Sequence, residues 1–192
     1  MKLPPDGEPL LLADHPALDL VNTICCINGE DFDFWNDDKD VVSWLERLGL
    51  SVDSARVSWS PGELLSHAKQ LRSLIEKWLH GAYDESSIVN ILNNYLTESW
   101  SHAKVTYESG GSLHVERCRL ASSVKGLLGP LSESIVDLIS NGDPERIRQC
   151  QHDECILWFY DRTKARRRRW CSMALCGNRH KVGEYRKRQI PD

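Results

Sequence analysis

Apolar residues recur at helical spacing in four stretches of the chain, covering residues 41–48, 64–79, 88–96 and 120–139. Their intervals of three and four residues place the apolar side chains on one face of an α-helix. Ser60-Pro61-Gly62-Glu63 predicts the start of the second helix, because it combines a serine cap, a proline in the first turn and a glutamate three residues after the cap. The pattern therefore predicts a mainly helical chain.

Helix-ending and helix-capping residues separate these stretches. Gly49 and Gly81 stand where glycine commonly ends a helix. Asp84 is a predicted cap of the third helix, and Gly129-Pro130 predicts a bend in the fourth.

Three segments depart from helical periodicity. Leu18–Ile24 alternates and contains β-branched residues, which predicts a strand. The acidic segment from Glu30 to Asp38 predicts a loop. Apolar residues on both sides of Gly110-Gly111 predict a β-hairpin over residues 103–117.

Asn141-Gly142-Asp143-Pro144 ends the last helical pattern and predicts a domain boundary. Residues 1–143 contain 11 basic and 22 acidic residues, a balance of −11, whereas residues 144–192 contain 13 and 6, a balance of +7. The net charge of −4 hides this asymmetry. A polyanion is expected to be attracted only to the second segment.

Composition favours a soluble protein in a reducing compartment. The 192 residues are 41% hydrophobic and 27% charged, and no segment approaches the ~20 apolar residues of a membrane helix. Prolines and acids interrupt the N-terminal residues, so no secretory signal is predicted. The seven cysteines are an odd number, and four of them lie within 27 positions, which indicates a metal site rather than a disulfide framework. We therefore expect a cytoplasmic protein with no membrane partner.

The clustered cysteines follow the pattern Cys150-x4-Cys155-x15-Cys171-x4-Cys176. Two close pairs separated by about 15–20 residues suit a tetrahedral Zn²⁺. Four thiolates fill the coordination sphere, which predicts one structural zinc ion. Iron remains an alternative by ligand type. His152 or His180 could replace one thiolate, although solvated roles for both are favoured.

The segment that carries these cysteines has too small a core to fold by itself, so metal binding is expected to supply on the order of 10 kcal/mol of its stability. The predicted fold class is α+β, mainly α. It comprises a helical N-terminal domain with a small β-sheet or hairpin, and a small C-terminal zinc module of treble-clef-like or ribbon-like form.

Basic residues surround the cysteines. The candidate nucleic-acid contacts are Arg162, Lys164, Arg166, Arg167, Arg168, Arg169, Arg179, Lys181, Arg186, Lys187 and Arg188. Neutralising phosphates releases counterions and gives affinity, and arginine adds bidentate geometry. The alternative is that the arginines pair with the acidic segment or dock on a partner protein. Trp158, Phe159 and Trp170 could stack on bases, but a role in the small core is favoured.

Asp19 and Asn22 are polar residues within an apolar segment. Hydrogen bonds to neighbouring backbone are the favoured role, and a ligand-sensing pocket is the alternative. The sequence contains no nucleophile elbow, phosphate loop or paired catalytic residues, so we do not expect an enzyme.

The cysteine segment resembles the CGNR zinc finger. The resemblance is carried by Phe159-Tyr160-Asp161-Arg162-Thr163-Lys164, Arg168-Arg169-Trp170-Cys171-Ser172-Met173, Cys176-Gly177-Asn178-Arg179-x-Lys181 and Tyr185-Arg186-x-Arg188. That finger typically follows a domain called ABATE, found in bacterial stress-induced transcription regulators. Ala17–Thr23 and the helix containing Trp44-Leu45 resemble the start of that domain.

The resemblance implies an ABATE-like helical domain over residues 1–143, a four-cysteine finger over residues 144–192, and DNA binding. The expected function is a transcription regulator whose N-terminal domain senses a signal or dimerises. A small-molecule effector and a homo-oligomer would both suit this function. The alternative is a zinc-stapled interaction module that docks on an acidic protein or binds RNA.

Overall fold

The computed structural model describes residues 7–50, 57–107 and 110–189. The chain forms two compact units. Residues 37–136 form the first, which we call the helical unit, whereas residues 1–36 and 137–192 together form the second, which we call the split unit. The domain boundary predicted at residue 143 stays a prediction. The split unit spans that boundary.

The described residues contain seven α-helices and three two-stranded antiparallel sheets. In chain order the elements are α1 (Pro16–Val21), β1 (Ile24–Ile27), β2 (Glu30–Asp33), α2 (Asp38–Arg47), α3 (Glu63–Leu79), α4 (Glu85–Leu96), β3 (Trp100–Tyr107), β4 (Leu113–Leu120), α5 (Val124–Leu127), α6 (Gly129–Asn141), β5 (Ile147–Gln149), β6 (Trp158–Tyr160) and α7 (Asn178–Gln189). The prediction of a mainly helical α+β fold with small hairpins is confirmed. No helix in the described part has both the length and the apolarity to cross a bilayer.

Helices α2, α3 and α4 of the helical unit are capped by aspartate side chains. The Asp37 carboxylate accepts hydrogen bonds from the second and third residues of α2, and Asp84 caps α4 as predicted. The predicted start of α3 is displaced, because the helix begins at Glu63 and Gly62 precedes it with φ +82°. The Asp38 carboxylate accepts from the backbone N–H groups of Gly62 and Leu65, at 2.7 and 2.8 Å, and so supplies the cap expected from serine.

The hairpin predicted around Gly110-Gly111 is present and is longer than expected. Strands β3 and β4 pair from Trp100 with Leu120 to Tyr107 with Leu113. Leu120 therefore ends a strand, and the helical pattern that follows is carried by α5 and α6. These helices break at Leu128, just before the predicted bend.

Residues 18–21, predicted as part of a strand, form the end of helix α1. His15 caps this helix by accepting a hydrogen bond from the Ala17 N–H at 3.2 Å, and Pro16 occupies its first position. Residues 17–20 are all buried, so no helical periodicity was visible in the sequence. Only Ile24 of the predicted strand lies in one.

The acidic segment predicted as a loop contains strand β2, which pairs with β1. Asn28 and Gly29 form the connecting turn with φ values of +54° and +91°. Asn-Gly is the strongest sequence signal for this type of two-residue hairpin. The pair Asn28-Gly29 is thus the sequence signal for this hairpin, and the loop prediction did not take it into account.

One apolar core holds the split unit together. Its buried residues are Cys25, Phe34, Cys150, Cys155, Leu157, Phe159, Trp170, Cys171 and Cys176. Cys25 and Phe34 come from the N-terminal segment, and the other residues come from the cysteine-rich end. The N-terminal segment is therefore an integral part of the cysteine-rich module.

Candidate metal centre and basic surface

The four clustered cysteines meet in the core of the split unit. Their sulfur atoms all lie within 4.8 Å of one another, and all four residues are buried. The Cys155 and Cys171 sulfurs are 3.8 Å apart, and those of Cys171 and Cys176 are 3.5 Å apart. A disulfide would require about 2.05 Å, so the thiols are unbridged.

This geometry fits zinc. A tetrahedral ion with zinc–sulfur bonds of about 2.3 Å places its sulfur ligands about 3.8 Å apart. The four sulfurs are close to that spacing, and together they are suited to binding one zinc ion. Because four protein ligands complete the coordination sphere, the site has the character of a structural centre.

Crowding of the thiols separates their pKa values. Hydrogen bonds from the neighbouring thiols hold the pKa of Cys150 far below its ordinary value. Cys171 donates in that arrangement and is buried, so its pKa is raised. A divalent cation removes the need for one thiol to donate a hydrogen bond to another, because it stabilises all four groups as thiolates.

Two local turns bring the cysteine pairs together. Between β5 and β6, the Cys155 N–H donates to the His152 carbonyl at 2.8 Å and closes the first turn. The Cys176 N–H donates to the Ser172 carbonyl at 2.9 Å in the second. Helix α7 begins two residues after Cys176. A knuckle between paired strands, followed by a helix at the last ligand, is the treble-clef-like arrangement.

Gly177 packs closely behind the last ligand. Gly177 is not among the positive-φ glycines and Asn178 has φ −70°, so neither residue adopts the left-handed conformation. A Cβ at Gly177 would lie 2.4 Å from the Met173 Sδ and 3.0 Å from the Trp170 Cδ1. A larger residue at this position would therefore require the half-exposed Met173 side chain to move and would press on the Trp170 ring.

Arg179 contacts the metal centre. Its Nη2 lies 3.6 Å from the Cys176 sulfur and 3.4 Å from the His152 Nδ1, and its Nη1 lies 3.7 Å from the Glu154 carboxylate. Four thiolates and one Zn²⁺ carry a net charge of −2, which a guanidinium offsets. Arg179, a predicted DNA contact, is thus positioned beside the cysteines.

Asp161 organises the loop that carries the arginine run. Its carboxylate is fully buried and accepts hydrogen bonds from the Thr163 N–H, the Thr163 hydroxyl and the Arg168 N–H, at 2.9, 2.6 and 2.9 Å. Burial opposes ionisation, but these hydrogen bonds and the nearby Arg148 guanidinium hold the pKa of Asp161 below its ordinary value.

Arg146 and Arg148 hold the same loop by its backbone. The Arg146 guanidinium donates to the Asp161 and Thr163 carbonyls at 2.6 and 3.2 Å. The Arg148 guanidinium donates to the Arg166 and Arg168 carbonyls at 3.1 and 3.2 Å. Neither arginine was among the predicted site residues, because nothing in a sequence links a side chain to a carbonyl some 15–20 positions away.

Arg168 joins the arginine run to the N-terminal segment. Its guanidinium lies 4.2 Å from the centroid of the Phe159 ring, donates to the Leu12 carbonyl at 2.8 Å and pairs with the Asp14 carboxylate. Arg162 donates twice to the Asp14 carbonyl, at 2.9 and 2.7 Å. Both arginines, predicted as DNA contacts, hold the split unit together.

Arg166 and Arg169 also have partners within the split unit. The Arg166 guanidinium pairs with Asp143 and Glu145, at 2.9 and 2.7 Å. The Arg169 Nε donates to the Gln151 side chain at 2.7 Å, and its guanidinium lies over the Trp170 ring. These contacts leave both side chains at the surface.

Five of the predicted contacts are exposed and have no ion-pair or hydrogen-bond partner within the described residues. They are Lys164, Arg167, Lys181, Arg186 and Arg188. Lys187 pairs with Glu184 at 3.2 Å on the helix surface. The structure thus separates arginines that stabilise the module from basic groups that remain available to a partner.

The aromatic residues near the cysteines belong mainly to the core. Phe159 is fully buried and Trp170 is 9% exposed. The His180 ring covers Trp170, with 4.7 Å between centroids. In contrast, Tyr185 on α7 is 65% exposed.

Asp19 and Asn22, the two residues of the candidate ligand pocket, are both buried and bonded to backbone. The Asp19 carboxylate accepts from the N–H groups of Leu12 and Ala13 at 2.9 and 3.0 Å. The Asn22 amide donates to the Trp158 carbonyl and accepts from the Trp158 N–H, at 2.8 and 2.9 Å. Both side chains thus make the backbone contacts considered for them, and Asn22 bonds across 136 positions of sequence.

Comparison with known proteins agrees with this geometry. The family model for the CGNR zinc finger matches residues 146–189. The model of the ABATE family, described as "Putative stress-induced transcription regulator", matches residues 14–142. No curated protein gave a significant match. Since the ABATE match alone covers more than half of the sequence, the chain belongs to the ABATE family and carries a CGNR zinc finger at its cysteine-rich end.

Proposed function

We propose that this protein is a DNA-binding transcription regulator whose zinc finger presents basic side chains to the phosphate backbone. The observation that carries the proposal is the group of exposed, unpaired basic residues on the finger, Lys164, Arg167, Lys181, Arg186 and Arg188. Each can neutralise a phosphate without first breaking an internal ion pair, so counterion release contributes fully to binding.

The scaffold beneath these residues supports the proposal. Arg148 and Asp161 hold the backbone of the loop that carries Lys164 and Arg167. Cys176 lies in the turn that leads directly into α7. Basic groups held on a fixed backbone lose less conformational entropy on binding than groups on a free tail.

A regulatory role for the helical unit is the second part of the proposal. A cavity of about 480 Å³ lies between α3 and α4 and is lined by apolar residues, among them Leu74 and Ile88, together with Gln70, Lys77 and Asp84. This volume is within the range of small-molecule sites. We assign this cavity to a small-molecule effector that would signal stress. We further propose that the protein is cytoplasmic and that its role is binding rather than catalysis.

The proposal is tested by DNA affinity measured over a salt series, using a mixed-sequence duplex of about 24 base pairs. We expect log Kd to depend linearly on log salt, with the slope reduced by about 1 for each phosphate contact removed. Lys164→Ala and Arg167→Ala should each show this reduction. Lys39→Ala removes an exposed basic side chain from the helical unit and should leave the slope unchanged.

Two results would overturn the proposal. One is weak duplex binding at low salt. The other is equal binding by the wild type and by the double variant lacking Lys164 and Arg167. Either result would favour the alternative, in which the basic finger docks on an acidic protein. Metal analysis in the same preparations should give one zinc per chain, which separates loss of binding from loss of the folded finger.

A further inference from the structure

We infer that helix α7 is the element that enters the major groove of double-stranded DNA, while the loop carrying Lys164 and Arg167 contacts only phosphate. The inference rests on the proposed function and adds the form of the nucleic acid and the division of roles. It starts from the exposure of α7. The helix extends over Asn178–Gln189, about 18 Å, and none of its residues is buried.

The first turn of α7 is attached to the metal centre. Arg179 contacts the Cys176 sulfur and His180 packs on Trp170. Beyond these two residues no hydrogen bond or ion pair joins the helix to another part of the described chain, although Val182, Gly183 and Arg186 line a shallow depression with the loop at residues 152–154. Apart from Val182 and Tyr185, the side chains beyond the first turn of α7 are polar, charged or absent, and they suit a polar partner better than a protein core.

The outward surface of α7 suits a DNA groove. Lys181, Tyr185 and Arg188 stand at i, i+4 and i+7 and therefore share one face, and all three are exposed. Arg188 makes no hydrogen bond or close ion pair with the described residues, and its guanidinium has the geometry for bidentate contact with guanine. A helix with its side chains is about 10–12 Å wide, close to the ~12 Å width of the major groove of B-form DNA.

Other nucleic acids fit this surface less well. Single-strand binders stack successive bases on exposed aromatic side chains. Here Phe159 is fully buried, Trp170 is covered by His180 and Arg169, and Trp158 is half-buried, so Tyr185 on α7 is the most exposed aromatic side chain of the described finger. Double-stranded RNA has a deep and narrow major groove that a helix does not enter. The surface therefore favours duplex DNA.

The test begins with a random-sequence duplex pool, from which the wild-type zinc-loaded protein selects its preferred sequence. Binding is then measured to the selected duplex, to a scrambled duplex, to one isolated strand and to the corresponding RNA duplex. We expect the selected duplex to bind at least ten times more tightly than the other three. Enrichment of no sequence, despite salt-dependent binding, would refute base contact by α7 and would leave DNA binding itself intact.

Variants separate the two roles. Arg188→Ala should reduce discrimination between the selected and scrambled duplexes by about 5- to 100-fold, the range for losing a bidentate base contact. Arg188→Lys retains the charge and should lose most of the same discrimination. Arg167→Ala should weaken binding to both duplexes by the same factor. If Arg188→Ala also weakens both duplexes equally, α7 contacts phosphate alone and the inference is wrong.

Blocking one groove at a time gives an independent measurement. Glucosylated 5-hydroxymethylcytosine fills the major groove of the selected duplex, whereas netropsin occupies the minor groove. We expect the first to reduce affinity at least tenfold and the second to change it less than twofold. The opposite result would place the protein in the minor groove. Absence of salt-dependent binding to any nucleic acid would instead refute the proposed function.

Discussion

Replacing Asn22 by alanine tests whether the N-terminal segment is part of the zinc finger. The Asn22 side chain is 2% exposed and forms two hydrogen bonds with the backbone of Trp158. The substitution removes the hydrogen-bond partner of both the Trp158 carbonyl and the Trp158 N–H group. Because each buried polar group that loses its partner costs about 1–3 kcal/mol, we expect a loss of about 2–4 kcal/mol in the free energy of unfolding.

The assay is thermal and denaturant unfolding of the zinc-loaded protein. For a chain of this length the loss corresponds to a decrease of roughly 5–15 °C in the Tm of the transition that releases zinc. Asn141→Ala is the matched control, since Asn141 is exposed and its side chain donates to Asp137 in the preceding turn of α6. If Asn22→Ala unfolds within about 0.5 kcal/mol of the wild type, as expected for the control, the segment does not stabilise the finger.

Three further predictions concern single residues. Arg168→Ala should destabilise the protein by about 2–4 kcal/mol, because its buried hydrogen-bond partners are left unpaired. Arg167→Ala should leave the unfolding curve unchanged, while it weakens DNA binding and lowers its salt dependence. Gly177→Ala should lower the free energy of unfolding by about 1–3 kcal/mol through overpacking, and adding Met173→Ala should restore part of that loss. Equal stability of Gly177→Ala and the wild type would contradict the steric explanation. Burial raises the pKa of Asp19 to about 6, so the contribution of this group to stability is greatest below pH 4 and falls as the pH rises through 6. Asp19→Asn, which can accept the same hydrogen bonds, should therefore be more stable than the wild type at pH 7.5, by a margin that shrinks at pH 5.5. A stability difference that does not change with pH would refute this prediction.

The sequence predicted the elements whose signals are local. The long helices α2, α3 and α4 have strong apolar periodicity and appear in the predicted stretches, and Asp84 caps α4 as expected. The hairpin around Gly110-Gly111 and the four-cysteine cluster are also defined by short-range spacing. Cap and strand positions moved by a few residues, because a distant side chain such as Asp38 can replace a local cap.

The roles of the arginines could not be predicted, because they depend on contacts between distant positions. Arg168 and Arg167 are adjacent in sequence and carry the same charge. One reaches a carbonyl 156 positions away, and the other has no partner within the described residues. Charge density indicated a basic surface, but only the fold shows which guanidinium groups are already committed.

The shared core of the split unit has a thermodynamic consequence for regulation. Cys25 and Phe34 pack in the same core as the four cysteines, so zinc binding stabilises the N-terminal segment together with the finger. Linkage is reciprocal, and any change that loosens the segment must also weaken zinc binding. The helical unit is joined to the split unit at both of its ends, since it is inserted between residues 36 and 137. Under the proposed function, a signal received by the helical unit would reach the metal centre through these two connections of the chain.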